Sequence, residues 1–79
     1  MIDVILPELG EDVTEAVVSF WHYEEGDTIE EGEDLVEMLT EKATFNVPSP
    51  SAGVLSKIYA EEGQTVKIGE IIAAIDEKK

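Results

Sequence analysis

Apolar residues recur along nearly the whole 79-residue chain in short runs, separated by clusters of glycine, proline and acidic residues. Residues 17–23 and 54–60 are rich in β-branched and aromatic side chains, which suit a pleated surface, and each run stops at Glu-Glu-Gly. A second glycine follows six positions later in both places, at Gly32 and Gly69, where a tight reversal often needs positive φ. Pro7, Pro48 and Pro50 cannot donate a ladder hydrogen bond and are expected at strand ends or edges. Residues 35–39 are ambiguous by pattern alone. Leu35, Met38 and Leu39 fit a helical stripe capped by Asp34, whereas Leu35, Glu37 and Leu39 alternate with Val36, Met38 and Thr40 as in a strand.

An internal repeat settles that ambiguity. Residues 14–39 match residues 51–76 at a constant offset of 37 without gaps, and eight of the 26 positions are identical, including Ser19 with Ser56 and both glycines of each unit. The partner of 35–39 is the β-branched run that starts at Ile71, so both are read as strands, and each unit as strand, turn, strand. Two similar units imply a pseudo-two-fold domain, here a small all-β sandwich or flattened barrel. Unit one passes into unit two through residues 40–50, whereas the matching end of unit two is the C-terminus. A hairpin carrying Glu41, Lys42 and Ala43 is therefore expected opposite the end where the termini meet.

Composition narrows the function. A chain of this length removes only roughly 60 to 65 percent of its extended surface from water, which leaves a thin core and no room for a deep catalytic cleft. Nineteen acidic residues against five lysines and no arginine give a formal charge of −14, which repels nucleic acid and anionic membranes and leaves either a solvated surface or steering toward a basic partner. The absence of cysteine excludes disulfides, a thiolate nucleophile and sulfur ligands to zinc, so thiol chemistry would have to come from a cofactor. No stretch has the length of a signal-peptide core or a membrane span, and a bacterial cytoplasmic or mitochondrial-matrix setting is expected.

Few residues could carry chemistry. His22, placed in a strand between Trp21 and Tyr23, has no nucleophile to activate and is one ligand where a metal needs several, so no metal site is assigned. Among Glu11, Asp12, Glu15 and Glu24 no spacing singles out an acid/base pair. Trp21 and Phe45 are expected to be core aromatics. Lys42, in a polar turn, combines a flexible unbranched stem with a primary amine that can become a stable neutral amide.

The stretch Leu39-Thr40-Glu41-Lys42-Ala43, followed by Val47-Pro48-Ser49-Pro50 and Gly53, resembles the attachment hairpin of lipoyl domains. Leu6-Pro7-Glu8-Leu9-Gly10-Glu11 is similar to that family's opening strand and first loop, and Trp21, Gly26-Asp27, Gly63, Val66 and Gly69 continue the likeness over nearly the whole chain. The resemblance implies two four-stranded antiparallel sheets about a pseudo-two-fold axis, the barrel-sandwich hybrid, in a non-catalytic carrier spanning residues 1–79. It implies lipoic acid in amide linkage on Lys42, with Glu41 and Ala43 as flanking recognition residues; Glu41 stands where the family usually has aspartate.

The implied partners are a lipoate-attaching ligase or transferase and the three enzymes of a 2-oxo acid dehydrogenase complex. These are a thiamine-diphosphate dehydrogenase, an acyltransferase core and a flavin dihydrolipoyl dehydrogenase, between which the arm shuttles acyl groups and reducing equivalents. The early Leu-Pro-Glu-Leu-Gly-Glu run is similar to the N-terminal lipoyl domain of such an acyltransferase, and a free-standing carrier fits the length as well. Glu8, Gly10, Glu11 and Asp12, in the loop that corresponds to the family's partner-reading loop, are expected to select the dehydrogenase. Two rivals share the fold: a biotinyl carrier, which typically flanks its lysine with methionines instead of Glu41 and Ala43, and an unmodified protein-interaction module.

Overall fold

The computed structural model describes residues 1–77, all of them in strands, turns and loops. Eight strands run in chain order: β1 (Ile2–Ile5), β2 (Glu15–Trp21), β3 (Thr28–Ile29), β4 (Asp34–Leu39), β5 (Thr44–Pro48), β6 (Gly53–Ile58), β7 (Thr65–Lys67) and β8 (Ile71–Asp76). They form two antiparallel four-stranded sheets, ordered β1-β8-β6-β3 and β5-β4-β2-β7. The offset of 37 carries β2, β3 and β4 onto β6, β7 and β8. With β5 as the counterpart of β1, the same operation turns one sheet order into the other.

The symmetry extends to irregularities in the ladders. On β4 the partners step from Asp34↔Pro48 to Val36↔Val47, which leaves Leu35 as an extra residue; on β8 they step from Ile71↔Ile5 to Ala73↔Val4, which leaves Ile72. Ser19 on β2 and Ser56 on β6 are likewise skipped. Each bulge lies 37 residues from its counterpart, and each bends its strand so that the sheets curl around one core. A bulge also breaks the period-2 alternation, which is why Leu35 and Val36 are both buried where simple alternation would expose one.

The turns that close each unit are built alike. In residues 24–27 the Glu24 N–H donates to Asp27 Oδ2 at 2.8 Å, and in 61–64 the Glu61 N–H donates to Gln64 Oε1 at 3.0 Å. Gly26 and Gly63 have φ of 98° and 88°, and an added Cβ would meet nothing within 4 Å at either, so these positions require glycine for conformation and not for space. The Gly26 N–H donates to Leu55 O at 2.7 Å, and the Gly63 N–H donates to Val18 O at 2.8 Å. Each unit's turn is thus bonded to a strand of the other unit, and the two halves interlock. Trp21 reinforces the joint: its indole N–H donates to the Ala60 carbonyl at 2.8 Å.

The core between the sheets is aliphatic, with Ile29, Leu35, Met38, Leu55, Ile72 and Ile75 fully buried and Trp21, Tyr23 and Ile58 packed at its margin. Three expectations are corrected. The strands expected at 17–23 and 54–60 lie at Glu15–Trp21 and Gly53–Ile58, so His22 sits just past β2, where the ladder ends at Trp21↔Val36. Phe45 is half-buried on the edge strand β5 and lies outside the core cluster. Each unit also holds a short strand, β3 or β7, between its two glycines.

Candidate functional site

Beyond the last ladder pair, Leu39↔Thr44, four residues cross from β4 to β5. This tip, residues 40–43, contains no glycine; Thr40 organises it instead. The Thr40 N–H donates to Ala43 O at 2.9 Å, and the Thr40 hydroxyl donates to the same carbonyl at 2.9 Å. The hydroxyl oxygen accepts the N–H groups of Lys42 at 3.2 Å and Ala43 at 3.1 Å. Glu41, Lys42 and Ala43 are all exposed.

The loop between β1 and β2, residues 6–14, lies beside this tip. Leu9 anchors it against the core, the Val13 N–H donates to Gly10 O at 3.2 Å, and the Ile68 N–H donates to Thr14 O at 3.0 Å. Asp12 reaches Lys42, with its Oδ2 3.1 Å from the lysine Nζ. The side chains of Lys42 and Asp12 are 62% and 79% exposed, so solvent screens the pair, and exposed pairs of this kind contribute roughly 0–1 kcal/mol. The pair marks proximity more than it restrains the lysine. β1 begins beside the end of β8, with Ile2 opposite Ile75, and runs away from that end into this loop. Lys42 therefore stands at the end of the molecule remote from the described termini.

Between loop and tip runs a shallow open groove of about 630 Å³, bordered by Asp12, Val13, Val17, Leu39, Glu41 and Lys42 among others. The structure thus brings Asp12, Glu41 and Lys42 together. Glu8, Gly10 and Glu11 are exposed on the same loop without lining the groove, and Ala43 closes the turn through its backbone. His22 stands apart, its ring edge-on to Phe20 at 4.7 Å and its Nε2 2.9 Å from Asn46 Oδ1. Among the described residues no three His, Asp or Glu side chains are placed to hold a metal ion. Of the other lysines, Lys57 lies within β6 and Lys67 ends β7, while Lys78 and Lys79 fall outside the described residues. The role of Thr40 escaped sequence reasoning, although a threonine heading a four-residue turn without glycine was a usable signal.

A small two-sheet domain that presents a solvent-borne amine on a hairpin tip, beside nothing deeper than an open groove, is built as a carrier. Residues 2–75 match the family described as "Biotin-requiring enzyme". The chain is 47% identical over 92% of its length to a dihydrolipoyllysine-residue acetyltransferase component of the pyruvate dehydrogenase complex from Corynebacterium glutamicum. It is 42% identical over 98% of its length to a dihydrolipoyllysine-residue succinyltransferase component of the 2-oxoglutarate dehydrogenase complex from Staphylococcus saprophyticus. It spans only 11% and 18% of those two relatives.

Its fold is similar to the lipoyl domain of the Azotobacter vinelandii 2-oxoglutarate dehydrogenase complex (TM-score 0.79, 29% identity, all of both chains). It is also similar to the lipoyl domain of the Escherichia coli dihydrolipoyl succinyltransferase (TM-score 0.76, 36% identity, 99% and 98% of the two chains). The chain belongs to the biotinyl/lipoyl attachment family, as a lipoyl-type carrier domain homologous to those of 2-oxo acid dehydrogenase acyltransferases.

Proposed function

We propose that Lys42 carries lipoic acid in amide linkage to Nζ and that the domain serves as the swinging arm of a 2-oxo acid dehydrogenase complex. The observation that carries this reading is the place of Lys42. It stands beyond the last ladder pair, exposed, on a turn remote from the described termini, so that neither the sheets nor a tether to a longer chain would obstruct an arm. The residues fit the group: an extended, solvated arm needs a reachable amine on a long stem and no enclosing cavity. When attached, the group supplies the thiol chemistry that a chain without cysteine lacks.

The domain's own residues present and release that arm. Amide formation removes the ammonium charge, so the pair with Asp12 is lost at little cost because it is already screened. Tethering holds the carried group at an effective concentration on the order of millimolar near each partner. The proposed partners are a lipoate-attaching ligase or transferase, a thiamine-diphosphate 2-oxo acid dehydrogenase, the acyltransferase core and a flavin dihydrolipoyl dehydrogenase. A formal charge of −14 suits docking onto basic rims, which acts chiefly on encounter rate and specificity. Such a complex places the domain in a bacterial cytoplasm or a mitochondrial matrix.

The test is intact mass and peptide mapping after incubation with a lipoate-attaching enzyme and, separately, with a biotin-attaching enzyme. One lipoyl group on Lys42, none on the Lys42→Arg variant, and unmodified Lys57, Lys67, Lys78 and Lys79 are expected. Biotin in place of lipoate would establish the biotinyl rival, and no modification by either enzyme would leave an interaction module.

A further inference from the structure

We infer that Thr40 is the positioning residue of the attachment turn, whose hydroxyl sets the single presentation in which a modifying enzyme meets Lys42. The inference rests on the reading of Lys42 as the attachment site and adds what holds that lysine in place. A threonine hydroxyl has one hydrogen to donate and two lone pairs to accept with. Here all three are used within four residues: the hydrogen goes to Ala43 O, and the lone pairs receive the Lys42 and Ala43 N–H groups. In an ordinary β-turn the N–H of the fourth residue meets the carbonyl of the first; here it meets the hydroxyl of the first.

Other restraints on the tip are few. One backbone bond, from the Thr40 N–H to Ala43 O, closes it, and the contact of Lys42 with Asp12 is solvent-screened. The contrast with the scaffold turns is sharp. Residues 24–27 and 61–64 each combine a glycine at positive φ, a side-chain cap and a backbone bond to the opposite unit. Residues 40–43 have no glycine, and their cap is the Thr40 hydroxyl. An enzyme that acylates Nζ must bring the amine into line with an activated carboxyl, and a preset turn spares it the ordering of a loose one.

Three versions of the domain test this: wild type, Thr40→Val, which keeps the shape and loses the hydroxyl, and Thr40→Ser, which keeps the hydroxyl. The readouts are kcat/KM for lipoylation by a purified lipoate-protein ligase, thermal midpoint, and amide hydrogen exchange at Lys42 and Ala43 in the unmodified protein. Thr40→Val is expected to lower kcat/KM by about tenfold or more, as small misplacements of a reacting group do. It should also speed exchange at both amides, while Thr40→Ser restores both and the thermal midpoint shows no parallel trend. Equal kcat/KM for wild type and Thr40→Val, or a Thr40→Ser variant as slow as Thr40→Val, would overturn the inference. If the ligase fails on the wild type, the attachment reading falls. Exchange then decides the turn: protection lost only in Thr40→Val upholds the role of the hydroxyl, and unchanged protection removes it.

Discussion

The two repeat units offer the molecule an internal control. Both have bulges at equivalent places, Leu35 with Ile72 and Ser19 with Ser56, and both close their turns with a side-chain cap and a glycine. They differ where β1 and β5 lead into the units. Nine residues, 6–14, join β1 to β2, whereas four, 49–52, join β5 to β6. They differ again at the tip, where residues 40–43 join β4 directly to its ladder partner β5, whereas β8 pairs with β1, the first strand in chain order. These two departures from symmetry meet in space, at the contact of Asp12 with Lys42. What the units share holds the fold, and what only one of them has forms the site.

The comparison breaks most easily in the core. If the bulged residues are equivalent, Leu35→Ala and Ile72→Ala should each destabilise by about 2–5 kcal/mol, and by similar amounts, because both side chains are fully buried in one cluster. Urea unfolding measures both, and a variant tolerated at under about 1 kcal/mol would show that the halves do not share the core evenly.

A smaller effect is expected at a pair where the units diverge. Gly53 occupies the place of Ala16, and a Cβ on Gly53 would collide with the backbone oxygen of Asp76. Gly53→Ala should therefore force the β6–β8 backbone apart and cost about 1–3 kcal/mol, as overpacking does. Thermal midpoint is a sensitive readout, since about 1 kcal/mol moves a domain of this size by roughly 4–8 °C. The reverse change, Ala16→Gly, should cost about 1 kcal/mol or less. Equal losses would mean that Gly53 serves conformation alone and not the close approach of the strands.

The same comparison shows what could be read from residues alone. The repeat was visible in Ser19 and Ser56 and in the paired glycines, and it assigned β4 as a strand where periodicity was undecided. The bulges were not visible, because one skipped residue puts two successive apolar side chains into the core and erases the alternation on which a strand is recognised. β3 and β7 have two and three residues, too few to display any period. The exposed hairpin tip that carries Glu41, Lys42 and Ala43 was legible from the repeat. The hold of Thr40 on the turn had a signal, a threonine heading a turn without glycine, that went unread, whereas the reach of Asp12 to Lys42 depends on side-chain geometry that no spacing in the chain encodes.

The unmatched loop should separate function from fold. Replacing Glu11 and Asp12 with serine should leave stability within about 0.5 kcal/mol, since both are exposed. Lipoylation of Lys42 should stay near normal, while reductive acylation by the cognate dehydrogenase slows by roughly threefold to tenfold at low ionic strength and recovers toward a common value as salt rises. Unchanged acylation at low salt, or an equal loss in both assays, would remove the loop from partner recognition.

The smallest expected effect lies between Glu33 and its counterpart Glu70. Both carboxylates cap the N–H three residues back, Glu33 accepting from Glu30 at 2.9 Å and Glu70 from Lys67 at 2.7 Å. In unit one Tyr23 stands beside Glu33, and its equivalent in unit two is Ala60. The Glu30 N–H, and after it the Tyr23 hydroxyl, hold the Glu33 carboxyl below the ordinary glutamate value of 4.5. The same carboxylate, by hydrogen bonding first, raises the Tyr23 phenol above 10.0. A lowered carboxyl contributes stability that is complete above 4.5 and is lost as pH falls through the folded value. The raised phenol acts only in alkali, where its contribution is lost as pH rises through its folded value. Thermal midpoints of wild type and Glu33→Gln, which keeps an oxygen acceptor for the cap, should therefore differ slightly at neutral pH and converge in acid. The difference should be smaller in a Tyr23→Phe background, because the second donor is gone. Self-repulsion from the net charge of −14 changes with pH in all these proteins and largely cancels in the difference. A gap between wild type and Glu33→Gln that stays constant from neutral pH to pH 3 would mean that the carboxylate acts as a shape in this turn and not as a charge.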